Sequence, residues 1–343
     1  MCPKFCSIFL LCFMFISLKS IRVPHLIMRG GIKIPSIGYG TYTLMNEVDA
    51  FKALDKALEV GYRHIDTATV YGNEHIIGKV LRKWFSEKNL KREDIFVTTK
   101  LNLFNSFPDA VESSIKESLM KLQLEYVDLF LIHAPVALKI FKNNTILAVP
   151  NDHSALWKKM EEQVDAGRTR SIGLSNFNVS QIEKVMKSSR IKPANLQIEM
   201  HVYDQEKATR QFCKKNDIVV VAYAPLGAVK ADVYLADFGF KTKAPINMLQ
   251  DEELIKIAAA HNKSTAQVAL RFLHQLGVVV IPKSINVKRI EENYDIFNFI
   301  LSPKEMKTLK QLDKGMNGKV YDFKYLASNM AENPEYPWTD LNH

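Results

Sequence analysis

An aspartate and a tyrosine five residues apart, Asp66 and Tyr71, lie in the stretch GYRHIDTATVYGNE that runs from Gly61 to Glu74. A carboxylate and a phenol at the carboxyl end of a short apolar strand around His64 and Ile65 are the ingredients of proton-transfer chemistry. Two later apolar runs end in Lys100 and His133. Should Lys100 stand beside Tyr71, its ammonium is expected to lower the phenol from its ordinary pKa of about 10, so that Tyr71 can deliver a proton to a carbonyl oxygen. Asp66 would then hold Lys100 charged and in place. His133 would orient the substrate oxygen by hydrogen bonding or assist the relay. Each residue alone has a plainer explanation: a lysine reaching water, an aspartate capping a turn, a structural histidine, a packed ring. Only a shared position at strand ends makes the four a constellation.

A second group surrounds IPKSINVKRIEEN, residues 281 to 293. The last strand is read as ending in Lys283 and Ser284, with Arg289 in the first turn of the following helix, a combination suited to phosphate. Ser175, Asn176 and Gln197 offer hydroxyl and amide groups that suit a carboxamide better than a metal. Tyr223 could stack on a flat heterocycle or simply pack. Nothing resembles CxxC or HExxH, so no metal site is predicted.

These side chains need a scaffold that brings strand ends together. Leu26 to Ile34 reads as a β-hairpin turning through Arg29-Gly30-Gly31. Strands and helices then alternate: strands at 37–42, around 64, at 95–100, 127–133, 171–177, 194–201, 218–226 and 278–284, with helical periodicity between them. Eight such repeats close most naturally as a (β/α)8 TIM barrel, whose functional residues come from the carboxyl ends of strands. The alternative, an open doubly wound sheet, lacks its fingerprint, because Gly38-Tyr39-Gly40 is followed by Thr43 where a third glycine belongs. Long loops at 134–153 and 227–249, and an aromatic tail with Tyr321, Phe323, Tyr325, Tyr336 and Trp338, are expected over the mouth.

The chain of 343 residues is 47% apolar, enough for one large core, and carries a formal charge of +9 that suits an anionic ligand. No block of basic residues with interleaved aromatics points to nucleic acid. Three of the four cysteines fall within the first twelve residues, which leaves Cys213 alone in the body and excludes a disulfide framework there. Residues 7 to 18, SIFLLCFMFISL, have the length of a signal-peptide core and not of a membrane span. The expected organisation is a signal peptide or signal anchor at 1–20 and one barrel domain at 21–343, without a stable span in the mature domain.

The motifs GYRHIDTATVYGNE, the strands ending TTK and LIH, SIGLSNFN and IPKS occur in an order that resembles the aldo-keto reductase superfamily from about Leu26 to Trp338. That resemblance implies NADPH bound by the barrel and hydride transfer to an aldehyde or ketone, with Tyr71 as general acid in a tetrad with Asp66, Lys100 and His133. It further implies that Ser175, Asn176 and Gln197 hold the carboxamide while Tyr223 stacks on the nicotinamide. Thr41, Tyr42, Asp66 and Leu226 would contact the cofactor too. Lys283, Ser284 and Arg289 would take the 2′-phosphate, favouring NADPH over NADH, with Glu292 and Asn293 at the adenine. Tyr71, His133, Asn102 and Ala134 would face the substrate. Asn102 and Ala134 replace the aromatic and bulky residues common in relatives, so a wider, more polar pocket is expected. Relatives also imply a monomer and a cytoplasmic setting, or a secretory one if residues 1–20 act as a signal. A second reading keeps the fold but not the turnover: an NADPH-binding barrel with a structural or regulatory role.

Overall fold

The computed structural model describes residues 23–237, 239–240 and 245–338, so the expected leader at 1–20 lies outside the described residues. The chain opens with the hairpin read from the sequence. Strands β1 (His25–Ile27) and β2 (Lys33–Pro35) pair antiparallel, and Gly30 and Gly31 take the positive φ angles of +82° and +78° that the turn requires. Next come β3 (Tyr39–Gly40), α1 (Glu47–Val60), β4 (His64–Asp66), α2 (Glu74–Glu87), β5 (Phe96–Leu101), α3 (Val111–Leu122) and β6 (Leu129–Ile132). The middle of the chain supplies β7 (Ala137–Ile140), β8 (Ile146–Val149), α4 (His153–Asp165), β9 (Ile172–Ser175), α5 (Val179–Ser188), β10 (Asn195–Glu199), α6 (Lys207–Lys215) and β11 (Val219–Tyr223). Last are α7 (Ala231–Ala236), α8 (Glu252–His261), α9 (Thr265–Gln275), β12 (Val279–Val280), α10 (Val287–Tyr294) and α11 (Pro303–Gln311).

Eight of these strands form one parallel sheet in the order β3-β4-β5-β6-β9-β10-β11-β12. A parallel bridge between Ile37 and Val280 joins the two edges, with Gly38 N donating to Val280 O at 2.8 Å and Val280 N to Ser36 O at 3.1 Å. The sheet is therefore a closed barrel, which removes the edges that an open sheet would expose. Its inside is apolar at the hairpin end, where Met28 and Ile34 pack on Phe96, Leu129, Leu131, Val221 and Val279. The larger apolar core lies between strands and helices.

Helix ends follow local chemistry. Ser264 with Gln267, and Ser302 with Glu305, form capping boxes, and Pro303 occupies the first turn of α11. Three expectations need correction. The stretch 134–153 is not all loop: β7 and β8 form an antiparallel hairpin turning through Asn144, which takes a φ of +60°. The stretch 227–249 contains the short helix α7. The last strand also stops at Val280, so Lys283 and Ser284 lie beyond it.

His64 sits inside the barrel, fully buried, with Nε2 3.1 Å from the Thr98 hydroxyl and its ring edge-on to Phe96. Gly38 must be a glycine here, because a Cβ would approach His64 Nδ1 to 2.5 Å. Burial first, and the Lys100 charge second, push the imidazole from 6.5 down to about 3. The unfolded chain therefore binds a proton below pH 6.5 that the native state refuses until about pH 3. This contribution is fully present above pH 6.5 and is lost as pH falls through that window, up to ~5 kcal/mol. Denaturation free energies measured against pH should fall less steeply for His64→Gln than for the unaltered protein; parallel curves would refute the assignment.

Candidate active site

The carboxyl ends of β4, β5, β6, β9, β10 and β11 meet at one mouth, and the sequence places a polar or ionisable residue at each. Lys100 and Asp66 are 0% and 2% exposed. Lys100 Nζ donates to Asp66 Oδ1 at 2.6 Å, to Thr67 O at 2.8 Å and to Tyr71 Oη at 3.4 Å, which engages all three ammonium hydrogens. The other Asp66 oxygen accepts from Gln197 Nε2 at 2.6 Å. Burial pushes the Asp66 carboxyl up and the Lys100 ammonium down, and each partner's charge opposes the other's shift. A pair this deep persists because every donor and acceptor has a partner.

Tyr71 is held by its own turn. Thr69 to Tyr71 form one 3-10 turn, which Gly72 ends in a left-handed conformation, φ +67°. The Thr69 hydroxyl donates to Lys100 O at 3.0 Å and ties that turn to β5. Asn73 accepts from the Thr67 hydroxyl at 3.0 Å and donates to Thr41 O at 2.8 Å. The Thr41 hydroxyl is itself committed to Asp66 O at 2.9 Å. Thr67, Thr69 and Asn73 are thus bracing residues that sequence spacing did not single out, although all three lie within GYRHIDTATVYGNE.

The expected lowering of the Tyr71 pKa is corrected. Burial pushes the phenol well above its ordinary value, with the Asp66 carboxylate adding to the shift. The Lys100 charge is compensated by Asp66 at 2.6 Å and does not reverse this. Tyr71 therefore keeps its proton at neutral pH, which is the form a donor needs. The Tyr71 ring lies 5.8 Å from that of His133 and 5.0 Å from that of Tyr42. Burial, then the Lys100 charge, hold His133 well below its ordinary pKa, so its ring is neutral.

Across the mouth, Asn176 Nδ2 donates to His133 O at 2.9 Å and to Ser175 Oγ at 3.0 Å, while its Oδ1 accepts from Tyr223 Oη at 2.8 Å. Asn176 adopts a left-handed φ of +63° to reach all three. The structure thus gathers Asp66, Tyr71, Lys100, His133, Ser175, Asn176, Gln197, Tyr223, Thr41 and Tyr42 through direct bonds or ring contacts. Leu226 is half-buried against the main core. Asn102 caps the next turn, its Oδ1 accepting from Phe104 N at 3.1 Å. Ala134 is buried in an apolar cluster with Leu103, Val136, Leu138, Met330 and Tyr336, so the β7–β8 hairpin and the tail fill the space beside its small side chain.

The second group forms around the start of α10. Asn286 caps the helix by accepting from Arg289 N at 3.0 Å. Arg289 is exposed, and Lys283 reaches back to the Thr43 hydroxyl at 2.8 Å. Ser284 is buried and accepts from Asn286 N at 3.1 Å. Burial, then repulsion from Arg289, lower the Lys283 pKa, so an anion placed between the two cations would relieve both. Glu292 pairs with Lys288 at 3.8 Å, and Asn293 is buried. Among the described residues no cluster of His, Cys, Asp or Glu could hold a metal, and no helix is long and apolar enough to cross a membrane.

A closed barrel with a Tyr, Lys, Asp and His at its mouth and paired cations beside its last strand defines the class: the chain belongs to the aldo/keto reductase family, whose sequence profile matches residues 36–314. It is 39% identical over 337 residues to prostaglandin F synthase 2 of Bos taurus, covering 94% of this chain and 98% of the relative. It is 38% identical to rho crystallin of Aquarana catesbeiana, covering 91% and 96%. The aldose reductase structure from Schistosoma japonicum matches with a TM-score of 0.82 at 38% identity, over 93% of this chain and 99% of that one.

Proposed function

We propose that the protein reduces aldehydes or ketones to alcohols, reversibly, with NADPH as reductant and Tyr71 as the proton donor. The observation that carries this reading is the protonated phenol of Tyr71 held 3.4 Å from a lysine already paired to a buried aspartate. The donor set fits the cofactor: Lys283, Ser284 and Arg289 for its 2′-phosphate, Ser175, Asn176 and Gln197 for its carboxamide, the Tyr223 ring for its nicotinamide. Bound NADPH supplies the hydride. Tyr71 Oη releases its proton to the carbonyl oxygen as charge develops there, and Lys100 stabilises the phenolate that remains. Asp66 keeps that ammonium charged and fixed. His133, neutral, orients the oxygen by hydrogen bonding and does not compete as an acid.

Deuterium placed on the transferring position of the nicotinamide should appear on the carbinol carbon of the product; alcohol formed without label would contradict direct hydride transfer. The phosphate assignment has its own test. Removing Arg289 or Lys283 by substitution to Ala should weaken NADPH binding by roughly tenfold or more each, the size of one charge-assisted hydrogen bond, and leave NADH binding unchanged. Calorimetric titration with both cofactors measures it, and equal losses for the two would move the 2′-phosphate elsewhere.

A further inference from the structure

The tail crosses the mouth between Lys319 and Tyr325, and what pins it there is charge. Glu199, the last residue of β10, has a side chain with 0% exposure. Its Oε1 accepts from Val320 N at 2.6 Å and its Oε2 from Tyr321 N at 2.8 Å. Beside it, Lys319 Nζ donates to Asp204 Oδ2 at 2.6 Å and to Glu206 Oε1 at 3.3 Å, and His201 Nε2 stands 3.1 Å from Glu199 Oε1. Burial opposes the Glu199 charge, but the His201 bond, the Lys319 ammonium and the Tyr321 amide outweigh it and hold the carboxyl below its ordinary range.

Packing alone does not explain this anchor: Tyr321 is buried in a small apolar cluster with Ala231 and Leu235, and Val320 packs against it, but that cluster cannot satisfy the two tail amides. One side of the anchor borders a cavity of about 230 Å³ lined by Asn176, Phe177, Glu206, Lys319 and Trp338 among others. The two bonds from Glu199 satisfy those amides and, together with the apolar cluster, fix the position of the tail. What they position is Tyr321. Its ring lies 6.0 Å from Tyr223 and 6.4 Å from Tyr42, and its hydroxyl is bonded to that of Tyr234 on α7. Tyr42 in turn touches Tyr71.

We propose that Glu199 is a positioning residue: through its two bonds to the backbone of Val320 and Tyr321, beside the Lys319–Asp204 ion pair, it sets Tyr321 as the ceiling of the carbonyl pocket and so selects for large, flat substrates that reach it. The selection rests on the carbonyl-reductase reading; the anchor does not. Glutamine at position 199 keeps the size but presents an NH2 group to one of the two amides, so one bond must fail.

Two readouts on the full chain test this. Hydrogen exchange at the Val320 and Tyr321 amides should accelerate roughly tenfold or more in Glu199→Gln, while amides in β5 and β6 stay as they were. The KM of Glu199→Gln for a steroid-sized ketone should rise roughly tenfold with kcat held, and kcat/KM for propanal should change less than about twofold. Unchanged tail exchange, or an equal fall in kcat/KM for both substrates, overturns the proposal. Should Glu199→Gln fail to fold, Tyr321→Ala, which keeps the backbone bonds to Glu199, must show the same split between substrates; an equal loss for both again overturns it. A native protein without turnover would remove the reductase reading, and the exchange measurement would still decide the anchor.

Discussion

Tyr71→Phe should lose at least about 1,000-fold in kcat for carbonyl reduction and bind NADPH as tightly as the unaltered protein. The substitution deletes one oxygen, among the described residues the hydroxyl placed to give a proton next to Lys100 Nζ at 3.4 Å. General acid catalysis by a positioned group contributes ~10²–10⁴-fold, and the phenylalanine ring still fills the space against Tyr42. Retention of the fold is expected, because the turn is held by Thr69, Gly72 and Asn73 and not by the phenol. Steady-state kinetics with a cofactor titration separates the two effects. Unimpaired turnover would exclude Tyr71 as the donor, whereas loss of NADPH binding would reassign it to the cofactor.

The second large effect concerns the buried pair. Lys100→Met leaves the Asp66 carboxylate 2% exposed with only Gln197 as its side-chain donor, a loss expected to cost ~3–5 kcal/mol of stability together with nearly all turnover. The double variant Asp66→Leu with Lys100→Met removes both charges. It should recover most of that stability, since apolar groups of similar volume commonly replace a buried ion pair without penalty. Turnover should not return, because nothing then stabilises the Tyr71 phenolate. Denaturation midpoints and kcat measured on the three proteins test the separation. A double variant as unstable as Lys100→Met would mean the pair contributes more than mutual neutralisation.

Much of this was readable from local pattern. The largely apolar run at Val127 to His133 reads as a parallel strand buried on both faces, and its strand Leu129–Ile132 is buried throughout; the glycine pair at 30 and 31 announced the first hairpin. The tetrad was legible because each member ends such a run or, like Tyr71, follows one within a few residues. Four features escaped for physical reasons. The β7–β8 hairpin turns through Asn143-Asn144 between short segments, and its pairing is justified by burial against the tail, more than a hundred residues away. The six residues of α7 are too few to show a helical period. The direction of the Tyr71 shift depends on desolvation, which no spacing encodes, and on Asp66 compensating Lys100. Glu199 was passed over for the same reason: its partners, Val320 and Tyr321, are 121 and 122 residues downstream.

The most direct test of the central claim is NADPH oxidation by the purified protein across aromatic aldehydes, sugars, quinones and ketosteroids, with cofactor binding measured on the same sample. The account predicts that at least one class is reduced, with one alcohol formed per NADPH consumed and the reaction lost in Tyr71→Phe. Tight NADPH binding without turnover of any carbonyl would contradict it and leave a nucleotide-binding barrel whose tetrad does no chemistry.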